Sequence, residues 1–332
     1  MASFETPALT RPESPPAPAP VPAGATTSGA RRRAQPWLGT LVDIAIEAPS
    51  EAAFLRTTDL AFARVAEVHR AMSFHEPGSD LCAIARAPAG ALLQVSADTA
   101  RVLRLALDME LRSGGLFNAA IAPVLVASGR LPRPHGAQVA QAGTLAEGIE
   151  WLGARRLRVR APVWIDLGGI AKGYAVDCAV IALEAAGITS GLVNAGGDMR
   201  AFGPAAHPVH LRFADGLRRI ALLQNAAFAA SCNAEDADNA ASCSAEDADD
   251  DAILTSPHID PRSGRSVRSP NSVVVQASSA AVADALTKVA LLCPATADRI
   301  CRSLRAQWRA FGHGAIEPLP AGPWAPRLQP FC

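Results

Sequence analysis

From residue 38 to 47 the chain alternates, with Val42, Ile44 and Ile46 on one face, which is the two-residue period of a half-buried strand. The period then lengthens. Ser50 is placed to cap a helix in which Phe62, Val65, Val68 and Met72 share a face. Ser96 and Asp98 open a second helix, with Val102, Leu105 and Met109 inward and Gly114-Gly115 at its end. The Pro/Gly/Gln-rich stretch from Ser128 to Gly148 reads as a surface connection. Beyond it, Leu157, Val159, Val163 and Ile165 alternate with Arg156, Arg158 and Arg160 as a central strand. The Ala-rich run from Ala175 to Leu183, closed by Gly187, predicts a buried helix. A buried strand follows over Gly191 to Ala195, ending in Gly196-Gly197-Asp198, with Arg200 to Gly203 returning as its hairpin partner. Further strands are expected at Val209 to Phe213, Ile220 to Ala230 and Val273 to Val275. Ser278 or Ser279 caps a helix running through Asp284 and Lys288 to Leu292, and a last helix spans Thr296 to Phe311. Short alternating strands among helices predict an α+β domain of mixed sheets flanked by helices, not a regular βαβ repeat.

Composition bounds this picture at its ends. The chain has 332 residues, with 31 basic and 31 acidic side chains, enough for a large core and without the basic stripe of a nucleic-acid binder. Residues 1–35 carry Pro7, Pro12, Pro15, Pro16, Pro18, Pro20 and Pro22 among Ala, Ser and Thr, and end near Arg31-Arg32-Arg33. They read as a disordered Pro/Ala-rich tail. No uninterrupted apolar run follows the arginines, because Asp43 and Glu47 interrupt the strand, so an export signal is not expected. The seven cysteines are scattered without C-x-x-C spacing, which argues against a disulfide framework or a zinc site and fits a reducing compartment. A cytoplasmic location is the expectation. Within a single domain over residues 36–315, residues 229–239 (AASCNAEDADN) are followed at once by 240–250 (AASCSAEDADD). This acidic tandem duplication is far too short for a solenoid unit and lacks the glycine and spacing of an EF-hand loop, so it reads as a solvated insertion. A proline-containing C-terminal tail covers 316–332.

The chemistry concentrates in Asp166-Leu167-Gly168-Gly169-Ile170-Ala171-Lys172-Gly173-Tyr174-Ala175-Val176-Asp177. A strand ends in a carboxylate, turns on two glycines, and enters a helix with a lysine in its first turn. The residues alone leave two readings: a tight connection with a solvated lysine, or turn amides and an ammonium gathered for a phosphate. No G-x-G-x-x-G is present, so a Rossmann dinucleotide fingerprint is not supported. Downstream, Asp284 lies inside an otherwise apolar helix, where a carboxylate is costly unless it is paired, hydrogen-bonded or metal-bound.

This string closely resembles the central motif of the ApbE family of magnesium-dependent FAD:protein FMN transferases. In the family's order it is followed by Asn194-Ala195-Gly196-Gly197-Asp198, by His258-Ile259-Asp260-Pro261-Arg262-Ser263-Gly264, and by Ala283-Asp284-Ala285-Leu286-Thr287-Lys288. It is preceded by Leu38-Gly39-Thr40 and Met72-Ser73-Phe74, so that the resemblance covers about residues 34–310. It implies transfer of FMN from FAD to a Thr or Ser hydroxyl of an acceptor protein, with AMP leaving. On the same pattern Mg²⁺ would be held by the Gly169 carbonyl, the Asp284 carboxylate and the Thr287 hydroxyl. Lys172 and the turn amides would hold the FAD phosphates, and Asp166 a polar group of the flavin or ribose. Leu38, His75, Leu116, Phe117, Asn118 and Ile259 would complete the pocket, and His258 would be the base. The chain departs from the pattern in three places. Asn118 stands where an aspartate is usual, and Ala230 where a threonine is. Lys288 stands at the position, four residues after the aspartate, that often carries the metal-binding hydroxyl. These departures keep two alternatives open: hydrolysis of FAD to FMN and AMP, or flavin binding without transfer.

Overall fold

The computed structural model describes residues 30–213, 216–231, 258–267 and 272–311. The N-terminal tail before residue 30, most of the duplicated insertion and the tail after Phe311 lie outside the described residues. The chain opens with an antiparallel pair, β1 (Arg31–Trp37) and β2 (Thr40–Ile46), followed by α1 (Glu51–Met72) and α2 (Asp80–Arg86). Next come β3 (Leu92–Gln94), α3 (Ala97–Ser113), a 3-10 turn at Ala119–Ile121 and α4 (Ala122–Ala127). Then α5 (Leu145–Gly148), β4 (Ile149–Trp151) and β5 (Arg156–Val159) lead to α6 (Ala171–Ala185). Five strands follow: β6 (Gly191–Ala195), β7 (Asp198–Phe202), β8 (His207–Phe213), β9 (Gly216–Leu223) and β10 (Ala226–Ser231). After the insertion come β11 (Ile259–Asp260), β12 (Arg265–Ser266), β13 (Ser272–Ala277), α7 (Ala280–Leu292), α8 (Pro294–Leu304) and β14 (Gln307–Phe311).

Seven of these strands make one antiparallel sheet in the order β1-β2-β6-β7-β10-β13-β14. Alternation sends Ile44, Ile46, Val193, Ala227 and Val275 into the large core shared with the helices. The opposite face, through Ala201, Phe228 and Val274, packs with Val209, Leu211, Ile220 and Leu223 of the β8–β9 hairpin. The fold is therefore α+β, as the sequence predicts. Ser50, Ser96 and Ser279 each cap a helix by accepting a backbone N–H, and Gly114 ends α3 in the left-handed conformation. α6 is apolar nearly all round because it is enclosed, against α1 on one side and α7 on another. A Cβ on Gly173 would lie 2.2 Å from the Ala280 carbonyl oxygen, so only glycine lets α6 and α7 cross this closely.

Four boundaries differ from the sequence reading. Arg31 to Gln35, expected to end the tail, belong to β1 and pair with β2. There Arg31, Arg32 and Arg33 reach Glu51, Asp43 and Asp59, and the Arg33 guanidinium lies 5.6 Å from the Phe62 ring centroid. The central strand stops at Val159, since Pro162 offers no N–H to a ladder, although Val163 and Ile165 remain buried. Ile220 to Ala230 splits into β9 and β10 at Asn225, whose φ is 44°. The last helix ends at Leu304 with Arg305 left-handed, and Gln307–Phe311 instead adds an edge strand to β13. Among the described residues no helix is long and apolar enough to cross a membrane.

Candidate functional site

A cavity of about 260 Å³, room for part of a dinucleotide, opens where the turn before α6 meets α7 and the β11–β12 hairpin. Leu116, Phe117, Ile121, Leu125 and Ile259 give it apolar walls. Asn118, Asp166, Lys172, His258 and Lys288 give it polar ones. The sequence thus anticipates much of its lining, but Leu38 and His75 are not part of it. Leu38 sits in the β1–β2 turn with φ 59° and packs on the core. His75 is exposed, and Phe74 beside it is buried against Trp164 and Ala122.

Four charged groups meet under the cavity. α6 brings Lys172 in its first turn, the tip of the β6–β7 hairpin brings Asp198, and α7 brings Asp284 and Lys288 one turn apart. The Lys172 ammonium lies 2.7 Å from Asp198 Oδ2 and 3.5 Å from Asp284 Oδ2. The Lys288 ammonium bonds Asp284 Oδ1 and donates to Ser231 Oγ at 3.3 Å. The carboxylates are sealed in and the ammonium groups are not: the side chains of Asp284 and Asp198 are 0% and 3% exposed, those of Lys288 and Lys172 20% and 29%. Burial works against ionisation of Asp284, yet the two ammonium groups outweigh it and hold its carboxyl below the ordinary carboxylate range. Burial and the neighbouring Asp284 charge push Asp198 up. Burial opposes the charge on Lys172 as well, but Asp284 and Asp198 raise its pKa and keep it an ammonium.

His258, on the cavity wall, is the opposite case. Burial, followed by the Lys288 charge, pulls its imidazole down to about 3, so it is neutral at pH 7. Its carbonyl accepts the Val267 N–H at 2.8 Å, which fixes the backbone at the start of the β11–β12 hairpin.

Several amides of the turn before α6 and of its first helical turn already have partners. Gly168 N–H donates to Asp166 Oδ1 at 3.1 Å, Ile170 and Ala171 N–H donate to the Leu167 carbonyl, and Gly173 N–H donates to Asp284. These four amides are therefore engaged within the protein, and the positive side chains on the cavity are the lysine pair. Asp166 is pushed up by burial. Asn118 spends its side chain locally, accepting from Ala120 N–H at 2.7 Å and donating to the Gly143 carbonyl at 2.8 Å.

The residues assigned to magnesium by resemblance do not fit that ion. Mg²⁺ requires near-octahedral oxygen ligands, usually including one or two carboxylates. Here Asp284 already carries Lys288, Lys172 and the Gly173 amide. The Thr287 hydroxyl donates to the Asp284 carbonyl at 2.7 Å, lies 2.8 Å from Ser231 Oγ, and is fully buried. Lys288, not Thr287, reaches the cavity, with its Cε 3.4 Å from where a Cβ on Gly169 would stand. Among the described residues no group of three His, Cys, Asp or Glu side chains is disposed to hold a metal. Sequence reasoning passed over Lys288 for Thr287 and gave Asp198 and Ser231 no role. The aspartate closing the Gly196-Gly197 turn was the available signal for the first of these two.

An antiparallel sheet backed by enclosed helices, with a cationic cavity built on the D-L-G-G-I-A-K-G string, defines a class that comparison with known proteins identifies. The model of the ApbE family matches residues 38–311, and the chain belongs to that family. An FAD:protein FMN transferase of Rhodobacter capsulatus is 28% identical over 257 residues, covering 74% of this chain and 48% of that protein. One of Haemophilus influenzae is 28% identical over 123 residues, covering 33% of this chain and 36% of that protein. The chain thus spans less than half the length of both curated relatives. The crystal structure of the ApbE protein of Thermotoga maritima shares the fold, with TM-score 0.72 and 22% identity, over 87% of this chain and 96% of that one.

Proposed function

We propose that this chain transfers FMN from FAD to a Thr or Ser hydroxyl of an acceptor protein, releasing AMP. The observation that carries the reading is the meeting of two ammonium groups with a neutral imidazole on one apolar-walled cavity. Family membership and the relatives named as FAD:protein FMN transferases support it.

Lys172 and Lys288 face the pyrophosphate, whose negative charge is what repels a nucleophile. The apolar walls at Leu116, Phe117, Ile121 and Ile259 receive flavin or ribose surface. The acceptor hydroxyl gives its proton to the His258 imidazole, and its oxygen forms a bond to the FMN-side phosphorus. The bridging P–O bond on that phosphorus breaks, and AMP leaves with the electron pair, its new charge met by the ammonium groups. Magnesium, which the family resemblance brings with it, has no step in this scheme. A cytoplasmic location belongs to the proposal, since the free Cys82, Cys178, Cys293 and Cys301 suit a reducing compartment.

Incubation with FAD and a candidate acceptor protein tests the reading. Flavin fluorescence on the acceptor in a denaturing gel, together with released AMP, is the expected result. AMP without labelled acceptor would reassign the site to hydrolysis, and intact bound FAD would reassign it to flavin binding alone.

A further inference from the structure

We infer that the Lys288 ammonium is the resident cation of this site, so that FAD is bound through its pyrophosphate without any divalent metal ion. The inference rests on the flavin reading above and concerns how the charge of that same ligand is met.

Three observations lead to it. First, the place between Gly169 and Asp284 is filled: the Lys288 stem runs past Gly169 and its ammonium ends on Asp284 Oδ1. Second, the buried charges already balance. Lys172 and Lys288 stand against Asp198 and Asp284, so both carboxylates at this place are already paired and neither is left over to anchor a divalent ion. Third, the ammonium is held, not merely present. Ser231 accepts from it at 3.3 Å, and Thr287, 2.8 Å from Ser231, fixes that hydroxyl in turn. Both lysines line the cavity while their carboxylate partners lie beneath, so the positive ends are presented to a ligand and the negative ends are screened from it. A pyrophosphate diester carries two negative charges, and its oxygens would meet the two partly exposed ammonium groups, not the carboxylates buried beneath them. A hydroxyl at position 288 would leave Lys172 alone against two carboxylates, a net negative pocket suited to a cation.

The test measures FAD affinity of the full chain by flavin fluorescence, once in EDTA and once in excess Mg²⁺, alongside electron paramagnetic resonance of added Mn²⁺. The wild type is expected to bind FAD equally in both buffers and to immobilise no Mn²⁺. A Lys288→Thr variant is expected to bind FAD at least about tenfold more tightly with Mg²⁺ than with EDTA, and to immobilise Mn²⁺ when FAD is present. Wild-type binding that collapses in EDTA overturns the inference and leaves the flavin reading standing. A folded Lys288→Thr variant indifferent to Mg²⁺ overturns the assignment to Lys288. Wild-type protein that binds no FAD in either buffer sinks the flavin reading itself, and this inference with it. The wild-type arm decides by itself if the variant does not fold.

Discussion

His258 shows how far one side chain's chemistry is set by its neighbours. With the imidazole pulled from the ordinary 6.5 to about 3 by burial and by the lysine charges, His258 is a neutral but weak base. FAD brings negative charge to those lysines, so binding should raise the His258 pKa toward its ordinary value and make it a better proton acceptor. An imidazole NMR titration is expected to show His258 neutral down to pH 5 in the free protein and titrating at higher pH with FAD bound. The sign for stability follows. Between about 6.5 and about 3 the unfolded chain takes up a proton that the folded chain refuses, so this group erodes stability as the pH falls through that window. His258→Ala should keep FAD affinity and slow transfer by about 10²- to 10⁴-fold; a loss of only a few-fold would remove it as the base.

At the scale of elements, the site depends on how α6 and α7 are fastened together. Asp177, on α6, receives the first amides of α7: Ala280 N–H at 3.0 Å on Oδ1 and Ala281 N–H at 3.1 Å on Oδ2, with Ser279 Oγ at 2.8 Å. Arg200, on β7, completes the set at 2.9 Å. A buried carboxylate of one helix thus caps another and neutralises a strand arginine, while Gly173 one turn earlier lets the backbones touch. Asp177→Asn turns an acceptor into a donor against those amides and leaves Arg200 unpaired. We expect a loss of about 3 kcal/mol in urea unfolding, with FAD affinity of the molecules that remain folded little changed. A variant as stable as wild type would show that the cap is dispensable. This arrangement was only half legible in the sequence. The glycine turn, the capping serines and the helix periods are local signals, and each was readable. Asp177 closes a legible motif, yet its partners on α7 lie over a hundred positions away, and no local pattern announces them. The same reason hid the pairing of Lys288 with Ser231, whereas Thr287 looked the better ligand because oxygen chemistry was weighed without a view of which helix face was buried. The arginines of β1 were misread for a related reason. Their composition resembles a tail, and only the carboxylates facing them make a strand of it.

For the whole molecule, the order β1-β2-β6-β7-β10-β13-β14 places the duplicated insertion between two strands that are neighbours in the sheet. Ser231 ↔ Val273 is the last register pair of β10 with β13, so both anchors of the connection are fixed whatever its length. Closing a loop costs only about 0.6 kcal/mol more for each doubling of its length, so one copy of the repeat weighs little on stability. Deleting residues 240–250 should leave FAD affinity and urea midpoint unchanged, and a clear drop in affinity would show that the repeat reaches the ligand. The same layout divides the machinery in an unusual way. The chain up to Ser231 supplies Lys172, Asp198 and Ser231, and the chain from His258 onward supplies His258, Asp284 and Lys288. Neither part holds a complete site, but between them run a full strand pairing, β10 on β13, and a helix contact closed by Gly173 and Asp177. Cut within the insertion, the chain is expected to become a two-piece reporter, its separate fragments unable to bind flavin and their re-association read out as flavin binding regained.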